Sequence, residues 1–311
     1  MKVLLVAKPW KGGLADYVLS ALQQTVTGTV EFFPTYPQSL AERFDYLRDK
    51  DGWRRNLVER INTTHYDAAI FINHISAFRA LKHPAKNVLW LVDGPNMAEE
   101  DLLPFGQVFL SDTGYAANLP AGMAYAGEMP FAHDPGIHRP QAFSGQKRGL
   151  CFIANRDVKR DIWLSELRAF GVTPTVYGNY FMRHPLFWKH PLSFRAPVAA
   201  RAMGAVYARC HAALNIHAQV VREGTNMRTF ECAGYGVPQL VEYRPGLERF
   251  FEPEREILVF SSAEECAAQY ERLRGDAQLA KALAENARRR VLAEHNYKQR
   301  VSAMLKETLI G

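Results

Sequence analysis

Cysteine is sparse in this sequence. Cys151, Cys210, Cys232 and Cys266 are its only four in 311 residues, and their spacing matches no zinc or iron–sulfur pattern. That excludes a disulfide-framework domain. Each thiol sits in an apolar or helical context, which predicts buried free cysteines and a reducing, cytoplasmic setting. Long hydrophobic runs are also missing: no stretch approaches the ~20 apolar residues that span a bilayer. The opening apolar run at residues 3–7, closed by Lys8, Pro9 and Lys11, is too short for the core of a secretory leader. There is no low-complexity tract, no short-period repeat, no Walker A loop and no G-x-G-x-x-G fingerprint. His133, Asp134 and His138 lie close together, but Pro135 between them breaks helical metal spacing, so no metal site is expected.

What is present is an ordinary globular balance, 48% hydrophobic and 23% charged, over a length that holds one large domain or two of usual size. The charge is uneven. Residues 1–146 carry 13 Lys+Arg against 15 Asp+Glu and the remainder 25 against 17, so the net +6 divides into −2 and +8. A basic second half suits an anionic ligand such as a nucleotide, a phosphate or a nucleic acid.

Apolar, β-branched runs bounded by Gly, Pro, Asn and Asp predict strands at 2–7, 29–33, 67–72, 87–92, 107–110 and 122–125. A connector rich in Pro and His follows at 130–140, then a polar linker at 141–148. The pattern restarts with strands at 149–153, 173–177, 212–216, 237–241 and 256–260. Helical spacing fills the intervals at 14–24, 39–61 (broken near Asp51-Gly52), the stretch up to Phe170, 197–209, 225–236, 263–273, 276–295 and 296–310. An aromatic insertion containing proline occupies 180–195. Alternating strands and helices imply parallel sheets. The expected fold is therefore α/β: two doubly wound Rossmann-like domains, 1–140 and 149–295, facing each other across a cleft, with the last helix, 296–311, free to pack back on the first domain.

The stretch 211–243 concentrates the chemistry. It reads as strand, loop, helix, strand, with Glu223 and Glu231 eight residues apart and Arg228 in the first helical turn. A cation there opposes the helix dipole, which favours anions at N-termini. Either Arg228 points into water, or an anion is shared by Arg228 and the free backbone N–H groups. A second crowded helix start, Arg156, Lys159 and Arg160, makes a bound diphosphate the more credible reading. In the first half, Gly12-Gly13 at a helix start and the polar residues His74 and Asp93 after apolar strands occupy the positions where open α/β sheets bind ligands. Trp53-Arg54-Arg55 forms a basic-aromatic patch that could touch a membrane or an acceptor, or only pack as a surface helix.

The motif Leu214-Asn215, Asn226-Met227-Arg228-Thr229-Phe230-Glu231 and Gly236-Val237-Pro238 resembles the nucleotide-sugar-binding segment of GT-B fold glycosyltransferases of the group 1 class, in particular their CgeB-like branch. The resemblance extends to Gly246-Leu247, Phe250 and His295-Asn296-Tyr297 with Arg300. In the first half it is carried by Gly12-Gly13, His74 and the segment Pro130, Asp134-Pro135, His138 and Pro140. It implies transfer of a sugar from a nucleotide-diphosphate donor, a co-substrate rather than a cofactor, to an acceptor that the sequence does not name. Glu231 would hydrogen-bond the donor ribose. Arg228, Arg160 and Arg156 would neutralise the diphosphate, with Asn226, Thr225, Gly12, Gly13 and Tyr177 around the donor. Glu223, His74 and Arg228 would act at the reacting centre, Glu223 on the sugar and His74 from the other domain. The class implies a metal-independent, retaining reaction. Two departures stand out: residues 222–225 lack the class's glycine-rich loop pattern, and Asn155 replaces a usual glycine. Asp49-Lys50-Asp51 has the D-x-D form of metal-dependent glycosyltransferases but lies in a polar helical stretch, which reads as a solvated turn. A nucleotide-sugar epimerase or hydrolase of the same fold, and a non-catalytic nucleotide-sugar or nucleic-acid binding protein, are the competing readings.

Overall fold

In a computed structural model of the chain, every residue is described except 94–97, 180–181, 183–184 and 311, together with the side chains of 307, 309 and 310. Gly94 and Pro95 after the fourth strand, and part of the 180–195 insertion, therefore lie outside the described residues. The chain divides into two compact units, Met1–Pro130 with Tyr297–Gly311, and Phe131–Asn296.

Unit 1 is built on a parallel sheet of six strands: β1 (Lys2–Ala7), β2 (Thr29–Pro34), β3 (Ala68–Ile72), β4 (Asn87–Leu91), β5 (Gln107–Leu110) and β6 (Tyr125–Glu128), in the order β2-β1-β3-β4-β5-β6. Strands β3 and β4 are buried at every position, which is why their sequences, apart from Asn87 at the start of β4, are continuous apolar runs rather than alternating ones. Helix α1 (Leu14–Thr25) buries Tyr17, Val18 and Leu22. The expected long helix is two helices, α2 (Leu40–Arg48) and α3 (Lys50–Thr63). The break falls at Asp49, which ends one helix and caps the next by accepting from the Gly52 N–H at 2.8 Å. Its carboxylate thus serves a cap, and Asp51 lies in the first turn of α3. Strand β6 begins at Tyr125 rather than 122, because Gly122 takes a left-handed turn with φ of 83° just before it.

The last helix, α10 (Tyr297–Ile310), belongs to unit 1. Tyr297 stacks on Tyr17 with ring centroids 5.5 Å apart, Arg300 donates to the Pro130 carbonyl at 3.1 Å, and Thr308 bonds Gln107.

Unit 2 carries a second parallel sheet, from β7 (Leu150–Ile153), β8 (Thr175–Tyr177), β9 (Phe194–Arg195), β10 (Ala212–Asn215), β11 (Gln239–Glu242) and β12 (Leu258–Phe260), in the order β12-β11-β10-β7-β8-β9. Around it lie α4 (Val158–Ala169), α5 (Pro185–Lys189), α6 (Ala200–Tyr207), α7 (Met227–Tyr235), α8 (Ala263–Gly275) and α9 (Ala277–Glu294). Prolines trim three expected elements: β8 starts after Pro174, β11 after Pro238 and α6 after Pro197. Residues 131–140, read from the sequence as the tail of the first domain, group with unit 2. The His133 N–H donates to the His295 carbonyl at 3.0 Å. A Cβ at Gly234 would sit 2.9 Å from the His138 Cβ, so α7 and the connector pack backbone to side chain with no room between them. All four cysteines are free and buried.

Candidate active site

In a doubly wound sheet the ligand crevice opens where the strand order reverses, outside the carboxyl ends of the strands. In unit 2 that point lies between β7 and β10, which are neighbours in the sheet although two strands separate them in sequence. The segments leaving these two ends are 154–157, leading into α4, and 216–226, leading into α7.

Side chains from the first turn of α4 bridge the two. Asp157 caps the helix by accepting from the Lys159 N–H at 3.0 Å. Arg160 is buried and donates through Nε to the Ile216 carbonyl and through Nη1 to the Asn155 carbonyl, both at 2.9 Å. It straps the loop after β10 to the loop after β7. Lys159 pairs with Glu242, at the end of β11, at 2.6 Å. Glu242 also accepts from Arg244 and from the His217 N–H. Burial pulls the Lys159 ammonium below its ordinary value, against the opposing pull of Glu242. One buried carboxylate is thus shared by Lys159 and Arg244 with Arg160 alongside, leaving an excess of positive charge at the crevice.

His217 completes the arrangement. It is fully buried. Its Nδ1 faces the Asn226 side-chain amide at 3.0 Å. With that amide nitrogen as donor, the ring proton resides on Nε2, which has no hydrogen-bond partner among the described residues. Burial first, then the nearby cations Arg244, Lys159 and Arg160, hold the ring well below its ordinary pKa, so it is neutral at pH 7. A buried N–H donor without an acceptor is costly, and an anion reaching it would satisfy it.

The start of α7 is fixed by a polar network. Asn226 caps the helix toward the Thr229 N–H and exchanges amide bonds with Asn215, at 2.8 and 3.2 Å. Asn215 also donates to the Thr229 hydroxyl at 2.7 Å, and Thr225 shares that hydroxyl. One turn on, Arg228 pairs with Glu231 and touches the Met203 sulfur. Glu231 is 2% exposed, and its other oxygen lies 3.6 Å from His138 Nε2. His138 Nδ1 accepts from the Asp134 N–H, so Nε2 carries the proton and faces the carboxylate. Burial chiefly, with His133 and Arg228, lowers His138 to about 3. Burial alone would lower the Arg228 pKa, but Glu231 and its neighbours outweigh it and raise it. Burial lifts the Glu231 carboxyl above its usual range, against the pull of Arg228.

The residues expected from the sequence are distributed as follows. Arg228 and Glu231 meet each other, closing the pair that the dipole argument left open. Thr225 and Asn226 belong to the cap. Arg160 is a strap across the switch point. Arg156 is held by Asp161 at 2.8 Å. Tyr177 ends β8, half-buried against the cluster of Cys151, Met203 and Tyr207. Glu223 has an exposed side chain, and its carbonyl accepts from the Gly246 N–H at 2.7 Å.

Gly12, Gly13 and His74 lie in unit 1, at that unit's own switch point between β1 and β3. Gly12 is left-handed, with φ of 70°, and its N–H donates to Asp16 at 2.6 Å. His74 packs edge-on against Phe78 and Phe105. Its Nε2 lies 3.7 Å from Asp101, and burial chiefly lowers its pKa. Asp93 accepts from Asn73 at 2.7 Å.

Sequence reasoning did not single out His217, Glu242 and Arg244, and it left Lys159 out of the donor set. A signal existed: His217 and Glu242 stand at the carboxyl ends of adjacent strands. Among the described residues, no group of three or more His, Cys, Asp or Glu side chains is placed to hold a metal ion.

A family model described as glycosyl transferase-like matches residues 159–306, beginning at the lysine of the bridge. No curated protein matches the chain. Among solved structures, sucrose-phosphate synthase from Thermosynechococcus elongatus superposes with a TM-score of 0.74 at 12% identity, covering 98% of this chain and 97% of that one. A glycosyltransferase from Rickettsia africae gives 0.71 at 12% identity, over 99% and 97%. Anabaena HepE, solved in complex with UDP-glucose, gives 0.70 at 14% identity, over 99% and 100%. The fold is that of the GT-B glycosyltransferases, two Rossmann-like domains each on a six-stranded parallel sheet.

Proposed function

We propose that the chain is a glycosyltransferase that takes a sugar from a nucleoside-diphosphate donor whose diphosphate lies at the switch point of unit 2. The observation that carries this reading is the bridge of Lys159, Arg160 and Arg244 around His217 and its unpartnered Nε2–H, inside the segment matched by the glycosyl transferase-like model. The UDP-glucose complex of Anabaena HepE supports a nucleotide sugar as the donor.

The chemistry follows from the charges. The bond between the anomeric carbon and the diphosphate oxygen breaks, and negative charge collects on the leaving diphosphate. A new bond forms from the acceptor hydroxyl oxygen to the anomeric carbon, and the hydroxyl proton passes to a departing phosphate oxygen. Fixed cations and a preorganised N–H aimed at the diphosphate stabilise that charge without reorganising. On this reading no metal is required and the product retains the anomeric configuration of the donor. Lys159 joins Arg160 in the role expected from the sequence for Arg228, Arg160 and Arg156; Asp161 already holds Arg156, and Glu231 holds Arg228. Arg228 and Glu231 are paired with each other on α7, and Glu231 opens to a ribose only if the pair separates.

The test is release of nucleoside diphosphate from a panel of nucleotide sugars with candidate acceptors, with product anomers read by NMR. Lys159→Met is expected to lower turnover by about tenfold to a hundredfold, the worth of one charge-assisted hydrogen bond. Undiminished transfer by Lys159→Met would contradict the placement of the diphosphate.

A further inference from the structure

Helix α2 of unit 1 has no buried residue, yet it is firmly capped. The Ser39 hydroxyl accepts from the Glu42 N–H, and the Glu42 carboxylate accepts from the N–H groups of Gln38 and Ser39. Those backbone bonds hold the Glu42 carboxyl below its usual range. A helix so secured contributes almost nothing to the core. Its apolar residues face the other way: Leu40, Phe44 and Leu47 are 74%, 74% and 80% exposed.

The positions are not scattered. At about 100° per residue, Leu47, Leu40 and Phe44 fall within an arc of roughly 60°. Arg43 flanks the arc on one side and Arg48 on the other, each about 40° away. The acids Glu42 and Asp45 lie on the far side. So does Tyr46, which anchors the helix against Trp53 and Tyr36 with ring centroids 5.4 and 5.1 Å away. The stripe therefore points directly away from the body of unit 1. Trp53, the aromatic residue of the basic patch at 53–55, is the packed side of this arrangement rather than its exposed side.

We propose that the α2 stripe docks unit 1 on the surface of an anionic lipid bilayer, with Leu40, Phe44 and Leu47 in the interface and Arg43 and Arg48 at the headgroups. Two observations favour a bilayer over a protein partner. The charges are sorted as an interfacial helix requires, basic residues beside the apolar face and acidic residues behind it. The patch is also small. A nine-residue helix is about 14 Å long and about 10 Å across, a footprint of about 140 Å², far below the roughly 800 Å² per partner of a stable protein interface. Three side chains entering a headgroup layer need no such area.

The inference does not depend on the glycosyltransferase reading and is tested without an activity assay. The full chain is floated with vesicles of phosphatidylcholine alone and of phosphatidylcholine with phosphatidylglycerol in equal parts, and its oligomeric state is measured by analytical ultracentrifugation. Binding to the anionic vesicles that weakens as salt is raised is expected. Leu40→Ser/Phe44→Ser/Leu47→Ser is expected to weaken it by about tenfold or more, and Arg43→Glu/Arg48→Glu by at least about fivefold per residue. Because all five side chains are solvent-exposed, both variants should unfold at the wild-type temperature. No binding to the anionic vesicles, or binding that the apolar triple variant leaves intact, would overturn the proposal. So would a dimer that the triple variant dissociates, since the stripe would then serve a second copy of the chain.

Discussion

Arg228 and Glu231 are three residues apart on one helix; the carboxylate is sealed from water and the guanidinium is half-buried beside it. Truncating one partner of a buried ion pair leaves the other uncompensated, at a cost of about 3–5 kcal/mol. Arg228→Ala is therefore expected to lower the unfolding free energy read from urea titration by up to that amount, whatever it does to activity, and Arg228→Lys by less. A variant as stable as the wild type would show that the pair is solvated. The buried histidines give a second residue-scale prediction. His138, lowered to about 3, stays neutral in the folded chain, whereas in the unfolded chain it titrates near 6.5. Between those values the unfolded state binds a proton that the folded state refuses, so stability falls as the pH falls below about 6.5, by up to about 1.4 kcal/mol per pH unit. Glu231, raised by burial, works in the opposite sense: what it contributes is present below its ordinary value and is lost as the pH rises through its folded value. Comparing pH 7 with pH 5, His138→Gln should lose about 2 kcal/mol less stability than the wild type. An unchanged difference would mean that His138 is protonated in the fold. The sequence exposed Arg228 as a cation in a position where the helix dipole disfavours it, but not its partner. An i, i+3 carboxylate on the same helix is a neighbour by geometry, and only burial decides whether such a pair closes.

At the scale of elements, the strands at 2–7 and 107–110 could be read off without error, because nothing but apolar residues and turn residues bounds them. Proline displaced the starts of β8, β11 and α6, and the Gly122 turn displaced β6; each shift follows from a backbone restriction local to the sequence. The split of α2 from α3 hinges on Asp49 rather than Asp51-Gly52, because one side chain ends one helix and begins the next. The orientation of α2 was not legible. Its apolar spacing reads as a core-facing face, and the sequence does not reveal that Tyr46 is the side that packs. The loop before α7 is pinned in a way that sequence also hides. Gly246 approaches so closely that a Cβ there would lie 2.6 Å from the Glu223 carbonyl oxygen. Gly246→Ala must push that backbone away, and overpacking of this kind costs about 1–3 kcal/mol. Its expected signature is a lowered melting temperature together with faster proteolysis near residues 222–225; a variant indistinguishable from the wild type would show that this loop yields freely.

For the whole molecule, strand–helix alternation and the restart after the polar linker made two parallel-sheet domains readable, since neither feature depends on long-range contacts. The position of the connector 131–140 was not readable, because it is decided by the fit of His133 and His138 against Gly234 on α7. Nor was the identity of the switch-point residues, which come from three segments far apart in sequence: Lys159 and Arg160, His217, and Glu242 with Arg244. Among the described residues no helix is long and apolar enough to cross a membrane. The central claim is that these switch-point residues hold the diphosphate of a nucleotide-sugar donor. Titration calorimetry of a nucleoside-diphosphate panel against the wild type, Lys159→Met and His217→Phe tests it most directly. At least one nucleoside diphosphate should bind the wild type, its affinity should fall by about tenfold or more in each variant, and the corresponding nucleoside should lose little. Absence of any nucleoside-diphosphate binding, or equal affinity in all three proteins, would contradict the account.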